Sequence, residues 1–402
     1  MARKATHRKT DESTREKILG AAWSLFQSNA TSDFTLAELA QRTGLHYTVL
    51  YHYFRNKSDL KAEIIERHSA GRSERFQQIR AGAGSGFDKL VSFIHAEMDQ
   101  LPTNLLARQY DLFAEPYRSR VTSAFAGNVH EITRLIRDGI GDGSIRSCHP
   151  DVVARVILRI LNRFANQNEN VLSQAGLSSQ DLAREIALFI GRGILRPGLT
   201  EDALPDAPYG PFPVPQTSDS NLDLMLRSLT GALNERGYDS TSIPDVAASI
   251  GLSKTSFYRF AASKEELLCL AAHRTLALNA QVRQVSRVVG KDPLDTLLHV
   301  MFYSRCLLDR LPGPTMHPAM FHFLANEHAR AVWDIFTAGR FDVIEILNQG
   351  VAQGMFRKVD TTAVQPMLTA LMNVPLRQPE RGNPQFVDEV SHLMLYGIAG
   401  DD

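Results

Sequence analysis

The chain has 402 residues, with 44 Lys or Arg and 44 Asp or Glu, so its formal net charge at pH 7 is zero and gives no indication of nucleic-acid binding. The three cysteines, Cys148, Cys269 and Cys306, are widely spaced and lack a CxxC pair, which argues against a disulfide framework or a thiolate zinc site and favours a reducing compartment. No uninterrupted apolar run approaches the ~20 residues of a membrane helix, and the basic N-terminus lacks the apolar core of a signal peptide, so we expect a cytoplasmic protein.

Positive charge is concentrated in three segments without acidic residues, 1–9, 39–58 and 246–264. Local positive patches of this kind are what contact with phosphate groups requires. We expect residues 1–13 to form a flexible basic arm, which is either a disordered solubilising tail or a segment that follows the DNA backbone or the minor groove. The basic residues of this arm are Arg3, Lys4, Arg8 and Lys9.

The first ordered elements in chain order are three short helices. The apolar pattern predicts a helix over about residues 14–28, and Thr35 then stands where the N-cap of a second helix belongs. Gly44 supplies the left-handed residue that ends this helix, and a third helix is predicted over residues 46–52. Two short helices joined by a tight glycine turn predict a helix-turn-helix, whose second helix can enter the major groove of DNA.

The same pattern returns without a gap at residues 241–264, where Ser242 takes the place of the capping Thr35. The equivalent positions are each 207 residues apart: Gly44 and Gly251, Tyr51 and Tyr258, and Lys57 and Lys264. A repeat of this length in constant register indicates two similar halves, each opening with a DNA-binding element.

Both copies resemble the N-terminal domain of the tetracycline-repressor (TetR) family of transcriptional regulators. The matching residues of the first copy are Phe34, Thr35, Ala40, Gly44, Leu45, Leu50, Tyr51, Tyr53, Phe54, Lys57, Ser58, Asp59 and Leu60. Those of the second are Thr241, Ser242, Ala247, Gly251, Leu252, Ser253, Phe257, Tyr258, Lys264, Glu265, Glu266 and Leu267. The resemblance implies an all-α chain of two tandem units, each a helix-turn-helix domain followed by a helical domain that binds an effector and forms dimers.

The remaining pattern is helical in both halves, without convincing period-two alternation. Six prolines within residues 197–219 predict a semi-rigid linker; a ligand for a proline-binding module is the alternative. We therefore predict five regions along the chain. They are a first DNA-binding domain at 1–55, a first helical domain at 56–196, the linker at 197–219, a second DNA-binding domain at 220–262 and a second helical domain at 263–402.

The side chains expected to contact DNA lie on the second helix of each motif and at the helix ends beside it. Thr can offer a methyl group to thymine, His can donate to guanine, and Tyr and Lys at these places usually contact phosphates in the family. In the first copy they are Thr35, His46, Tyr47, Thr48, Tyr51, His52 and Lys57, and in the second Ser242, Ser253, Lys254, Thr255, Tyr258, Arg259 and Lys264. The alternatives are that Tyr51 and Tyr258 only pack the domain and that the basic residues form a solvated face.

The two copies differ where they would read DNA. The second helices read HYTVLYH and SKTSFYR, Phe54 corresponds to Ala261, and Ala37 corresponds to Pro244. We therefore predict an operator with two different half-sites, with loss of DNA binding by the second domain as the alternative.

Aromatic residues of the helical domains are available to line an effector pocket for a small apolar molecule, although ordinary core packing is the favoured explanation for any one of them. In the first half they are Phe93, Tyr110, Phe113 and Tyr117, and in the second Phe302, Tyr303, Phe321, Trp333 and Phe336.

Other chemistry has little support in the sequence. The residues His317, His322, Glu327 and His328 lie close together but lack the spacing of a helical zinc site, so we predict no metal. There is no GxSxG, phosphate-binding glycine loop or HExxH, so we predict neither a cofactor nor an enzyme.

The sequence thus predicts a ligand-responsive transcriptional regulator, most often a repressor in the family it resembles, that binds double-stranded DNA and a small-molecule effector. The alternative is a ligand-sensing or partner-binding protein whose helix-turn-helix domains no longer bind DNA. Two assemblies stay open: the halves pair within one chain, or two chains form a homodimer. A 23-residue linker can span about 70 Å when extended, so its length permits the first.

Overall fold

The structure is a computed structural model, and it describes residues 2–28, 35–99, 116–165, 176–199, 220–236, 238, 241–309, 314–316, 320–321, 324, 326–372 and 384–400. Within these ranges the regular elements are α-helices, and the extended backbone is limited to two isolated β-bridges. The predicted all-α class is confirmed.

The described helices of the first half begin with three that form the first DNA-binding domain and one that connects this domain to the rest. These are α1 (Ala2–Ser28), α2 (Leu36–Thr43), α3 (Tyr47–Tyr53) and α4 (Lys57–Ala81). The described helices that follow are α5 (Gly86–Asp99), α6 (Tyr117–Asp142), α7 (Pro150–Ala165) and α8 (Ser179–Arg192). Residues 104–113, within the first predicted helical domain, and most of the predicted linker lie outside the described residues.

Helix α1 differs from the prediction, because it starts at Ala2 rather than near residue 14. The expectation of a flexible arm at residues 1–13 is therefore wrong for the described backbone. Residues 2–19 contain neither proline nor glycine, so the sequence has no residue that would interrupt the helix between its apolar stripe and Ala2.

The second half repeats this order. Helices α9 (Ser220–Arg236), α10 (Ile243–Ser249) and α11 (Lys254–Tyr258) form the second DNA-binding domain, and α12 (Lys264–Val289) connects it to the rest. The described helices that follow are α13 (Pro293–Asp309), α14 (Asn326–Ala352), α15 (Thr361–Met372) and α16 (Pro384–Tyr396).

The two halves share one hydrophobic core. Helices α7 and α8 of the first half pack against α15 and α16 of the second. Fully buried residues from both sides meet there, including Ile157 and Phe189 from the first half and Leu368 and Leu393 from the second. Exposing so many apolar side chains to water is unfavourable. Each half therefore covers an apolar face that the other half would expose if it were alone.

Backbone hydrogen bonds between the halves follow an approximate two-fold pattern. Arg146 N donates to Ile398 O at 3.0 Å, and Arg357 N donates to Ile194 O at 2.9 Å. The guanidinium groups repeat the pattern, because Arg146 Nε donates to Gly397 O at 2.8 Å and Arg357 Nε donates to Gly193 O at 2.6 Å.

Two glycines allow the backbones of the halves to approach this closely. Gly193 has φ +57°, and a Cβ there would lie 2.3 Å from the backbone of Leu395. Gly397 has φ +75°, and its Cβ would lie 2.3 Å from the backbone of Gly191. Both positions therefore require glycine for its left-handed backbone and for the space it leaves.

Candidate DNA-binding surfaces and effector site

The first helix-turn-helix is fixed by caps at both ends of α2. Thr35 Oγ1 accepts from Glu38 N at 3.1 Å, and Glu38 Oε2 accepts from Thr35 N at 2.6 Å, which makes a reciprocal capping box. At the other end Gly44 is left-handed with φ +64°, and Leu45 N donates to Ala40 O at 3.2 Å. These bonds set the angle at which α3 leaves the turn.

Helix α3 buries one side and presents the predicted recognition residues on the other. Leu50 is buried in the domain core. Every predicted contact residue on and just before this helix is exposed, namely His46, Tyr47, Thr48, Tyr51 and His52. Their polar atoms are therefore accessible to a groove of DNA.

Two tyrosines on α3 form a hydrogen-bonded pair at this exposed face. The phenol oxygens of Tyr47 and Tyr51 lie 2.7 Å apart, and their rings meet edge to face at 5.0 Å. The hydrogen bond with Tyr47 raises the pKa of Tyr51, so this phenol stays protonated and can donate to a phosphate oxygen. Lys57, at the start of α4, is only partly exposed.

The second helix-turn-helix has the same frame with a weaker cap. Ser242 Oγ accepts from Asp245 N at 3.5 Å, and Pro244 fits because it lies in the first turn of α10. Gly251 is left-handed with φ +70°, and Leu252 N donates to Ala247 O at 2.9 Å, as in the first copy.

The predicted contact residues of the second copy divide into two groups. Ser253, Thr255, Tyr258 and Arg259 are exposed, and Ser242 is partly exposed. Lys264 instead points back into its own domain, where its amine donates to Tyr238 O and lies 4.0 Å from the centre of the Tyr238 ring. The structure describes the backbone of Lys254 within α11 and not its side chain.

The first DNA-binding domain is held to the helical body by charged contacts. Arg120 of α6 donates to Asp59 and to Glu66, both of α4, at 2.6 Å each. The hydrogen bonds that Arg120 donates to Glu66 and Asp59 raise the pKa of its guanidinium, so it stays charged. Asn56 Nδ2 also donates to Tyr117 OH at 3.0 Å.

The second DNA-binding domain is joined to its body by an apolar core. Helices α9, α10 and α12 bury side chains together with Met316, Met320, Phe321 and Val332. A hydrogen bond strengthens this connection, since the backbone N of Met316 donates to the side-chain Oγ1 of Thr275 at 2.8 Å. Phe321 therefore packs directly against the second DNA-binding domain.

The predicted pocket residues of the first half do not form one described group. Phe93 is fully buried and packs edge to face against Phe76 of α4 at 5.3 Å. Tyr117 lies near the DNA-binding end, where Arg120 stacks over its ring at 5.9 Å. Tyr110 and Phe113 lie outside the described residues.

The predicted pocket residues of the second half form two groups. Phe302 and Tyr303 are neighbours in the shared core, with ring centres 5.8 Å apart. The other three, Phe321, Trp333 and Phe336, form an aromatic trio whose ring centres lie 5.5 to 5.9 Å apart, each pair edge to face. Arg163 of the first half stacks over Phe336 at 5.8 Å, so the trio also touches the opposite half.

Sequence reasoning missed several residues that shape these sites. Glu38 completes the first capping box, and its T-x-x-E signal was present in the sequence. Arg163 has no local signal, since only the packing of α7 on the second half brings it to the aromatic trio and to Arg340.

Metal binding and membrane insertion find no support in the described parts of the chain. Among those residues no group of three or more His, Cys, Asp or Glu side chains is arranged to hold a metal ion. His317 and His322 lie outside them. None of the described helices is long and apolar enough to cross a bilayer.

A family model for "Bacterial regulatory proteins, tetR family" matches the chain twice, at residues 18–64 and 230–269. These two stretches coincide with the two helix-turn-helix domains described above. The chain contains two tandem TetR-like units.

Curated relatives and solved structures match about one such unit. The HTH-type transcriptional repressor NemR of Escherichia coli strain K12 is 23% identical over 168 residues, which cover 39% of this chain and 84% of NemR. The crystal structure of reduced E. coli NemR is 22% identical, covers 44% of this chain and 93% of its own, and gives a TM-score of 0.36. The structure of FadR from Bacillus subtilis in complex with stearoyl-CoA is 16% identical, covers 43% of this chain and 96% of its own, and gives a TM-score of 0.37.

Proposed function

We propose that this TetR-like chain is a DNA-binding transcriptional regulator, acting as a repressor, whose affinity for its operator is changed by a small-molecule effector. The observation that carries the proposal is the pair of helix-turn-helix domains matched by the family model, each with an exposed polar face on its second helix. The similarity to a transcriptional repressor, NemR, supports the same conclusion.

Each domain supplies its own reading surface. In the first, tyrosine and histidine dominate the exposed face of α3, whereas serine, threonine and arginine dominate the corresponding face around α11. Because hydrogen-bond donors and acceptors of different shape select different base edges, the two domains recognise different half-sites. The operator is accordingly asymmetric.

The halves act together as one reader. In family members the two recognition helices belong to two chains; here the shared core of α7, α8, α15 and α16 lets one chain provide both. Two such helices bind adjacent turns of DNA only if their separation matches about 34–36 Å. The linker at 197–219 connects the units without having to hold them together, since their cores do so.

The effector acts through the connecting helices. Helices α4 and α12 each pack against the body of their own unit, α4 mainly on α6 and α12 on α13 and α14. A ligand that favours one arrangement of these helices changes the separation of the recognition helices and so the operator affinity. It can do so only by binding the two arrangements with different affinities.

The test begins with selection of bound sequences from a random duplex library by the full chain, followed by affinity measurements at several salt concentrations. We expect an enriched site with two unlike halves and an affinity that falls steeply with salt, because phosphate contacts release counterions. Replacing either half-site by the other should weaken binding unequally.

Two results would contradict the proposal. One is binding that no sequence enriches. The other is an effector that binds tightly but does not change the affinity for the operator, while the operator does not change the affinity for the effector. This result would rule out the proposed coupling.

A further inference from the structure

An unpaired arginine at the boundary between the halves is the starting point. Arg163 of α7 has a buried Nε that has no hydrogen-bond partner among the described residues. Its guanidinium lies over the Phe336 ring of the opposite half, at 5.8 Å. A buried donor without an acceptor costs free energy, so such a group is retained where something else satisfies it.

A second arginine reaches the same place from the second half. Arg340 follows Phe336 by four residues on α14, and residues four apart lie on the same face of a helix. The contact with Phe336 therefore places Arg163 beside the part of α14 that carries Arg340. Arg340 Nε donates to Gln365 Oε1 of α15 at 3.0 Å, a neutral partner that leaves its charge uncompensated.

The arginine pair, Arg163 and Arg340, consists of two partly buried cations that repel each other. Burial, followed by the nearby Arg340 and Arg159, lowers the pKa of Arg163 to about 10. Burial also lowers the pKa of Arg340. Both remain protonated at neutral pH, and no carboxylate of the described residues forms an ion pair with either.

The aromatic trio adjoins the arginine pair. Trp333, Phe336 and Arg340 are spaced by three and four residues, so they share one face of α14. The arginine pair with the aromatic trio thus offers two cationic groups beside an apolar wall. This combination suits a molecule with one anionic end and one apolar or aromatic body.

The first half lacks this site. Gly143 and Gly354, which end the equivalent helices α6 and α14, are 211 positions apart, as are Arg146 and Arg357. By the same spacing, Arg340 corresponds to Val129, Gln365 to Ala154 and Arg163 to Val374. Each of the three polar residues of the site thus corresponds to an apolar residue at the equivalent position of the repeat. The packing between the halves therefore does not in general require charged residues at these positions.

We propose that the arginine pair and the aromatic trio form one effector site per chain, which takes a carboxylate carried on an aromatic or alkyl body. This inference rests on the proposed function and deepens it, since it gives the chemical class of the effector. The carboxylate accepts hydrogen bonds from Arg163 and Arg340, and the body packs on Phe336 and Trp333.

The site also joins the parts that the effector must couple. Arg163 belongs to the first half, whereas Phe336 belongs to the second and meets Phe321 in the core of the second DNA-binding domain. A bound molecule therefore contacts both halves and lies next to the domain whose position it changes.

The experiment is a calorimetric titration of the full chain, without DNA, with 2-naphthoate and with its neutral counterpart 2-naphthamide. We expect naphthoate to bind with a stoichiometry of one per chain and at least about tenfold more tightly than the amide, since a hydrogen bond to a charged group is worth more than one to a neutral group. The variants Arg163→Gln and Arg340→Gln should each reduce this preference about tenfold. Arg330→Gln, on the exposed face of α14, is the matched control and should bind as the wild type does.

Folding of the variants is checked by thermal unfolding without ligand. Because each substitution removes one of two like charges, the midpoint should stay unchanged or rise, and naphthoate should stabilise the variants less than the wild type. Equal affinity for the acid and the amide, or unaltered naphthoate binding in both Gln variants, would overturn the anionic site. Operator binding, measured separately on the wild type, would still test the proposed function, so the two failures are distinguishable.

Discussion

At the scale of single residues, the two recognition surfaces make separable predictions about DNA binding. The Tyr51 phenol is exposed and held by Tyr47, whereas the exposed Tyr258 stands at the equivalent position of the second copy. We expect Tyr51→Phe to weaken operator binding about five- to tenfold, because the ring still packs but the phosphate loses its donor.

The measurement is an affinity titration on the selected operator, and its comparison is Tyr258→Phe. Each variant should bind the operator more weakly. In each variant the domain without the substitution should still prefer its own half-site. A Tyr51→Phe chain that binds like the wild type at every salt concentration would show that this tyrosine only packs the domain.

A second prediction at this scale concerns Glu97. This carboxylate is fully buried and is paired with Arg72 and, at 3.3 Å, with Arg75. Burial alone would raise the pKa of Glu97, but the two arginines hold it below the usual value. We expect Glu97→Gln to lower the free energy of unfolding by about 3 kcal/mol, since it removes the carboxylate that pairs with the buried Arg72 and the partly buried Arg75.

Thermal or denaturant unfolding at several pH values tests this, with the exposed Glu74→Gln on α4 as the control. A carboxyl whose pKa is depressed by folding stabilises the protein above its unfolded pKa and ceases to do so as the pH falls through the folded value. The wild type should therefore lose stability below about pH 4 more steeply than Glu97→Gln. Parallel pH profiles for the two would refute the assignment.

At the scale of elements, the glycine contacts between the halves determine how closely the two units pack. We expect Gly193→Ala to lower the unfolding midpoint by several degrees, because its Cβ would meet the Leu395 backbone at 2.3 Å and its φ is positive. The control is Gly143→Ala, which also has a positive φ but no atom within 4 Å of its Cβ. Both variants strain the backbone, more so at Gly193 with ψ −153° than at Gly143 with ψ −2°, and only Gly193→Ala also meets the opposite half. Equal midpoints would contradict the close packing.

The elements also show how far sequence reasoning extends. Helix α3 was predicted over residues 46–52 and lies at Tyr47–Tyr53, because the glycine turn at Gly44 limits where this helix can begin. The start of α1 was wrong, because a charged segment without apolar periodicity gives no pattern from which to recognise a helix.

The candidate sites divide in the same way. Exposed residues on α3 follow from helical spacing, so their accessibility could be anticipated. The inward turn of Lys264 could not, since it depends on the carbonyl and ring of Tyr238, 26 residues earlier in the chain. The arginine pair was likewise invisible, because its members are 177 positions apart and meet only when the halves pack.

At the scale of the whole molecule, the shared core predicts that one chain is the working unit. We expect light scattering to give a mass near 44.7 kDa over a wide concentration range, both free and, after subtracting the DNA, on a single operator. The apolar faces of α7 and α8 are already covered within the chain by α15 and α16 of the other half. A mass of twice this value would instead show that chains pair, and a palindromic operator would then be expected.

The covalent joining of the two units also changes how occupancy of the operator depends on the amount of protein. Where a reader assembles from two separate chains, dilution removes the active species, and occupancy at low abundance varies with the square of the chain concentration. Here the partner unit is always present at the effective concentration set by the linker and the packed core. Occupancy should therefore rise with the first power of concentration, so that a few molecules per cell can bind without an assembly threshold.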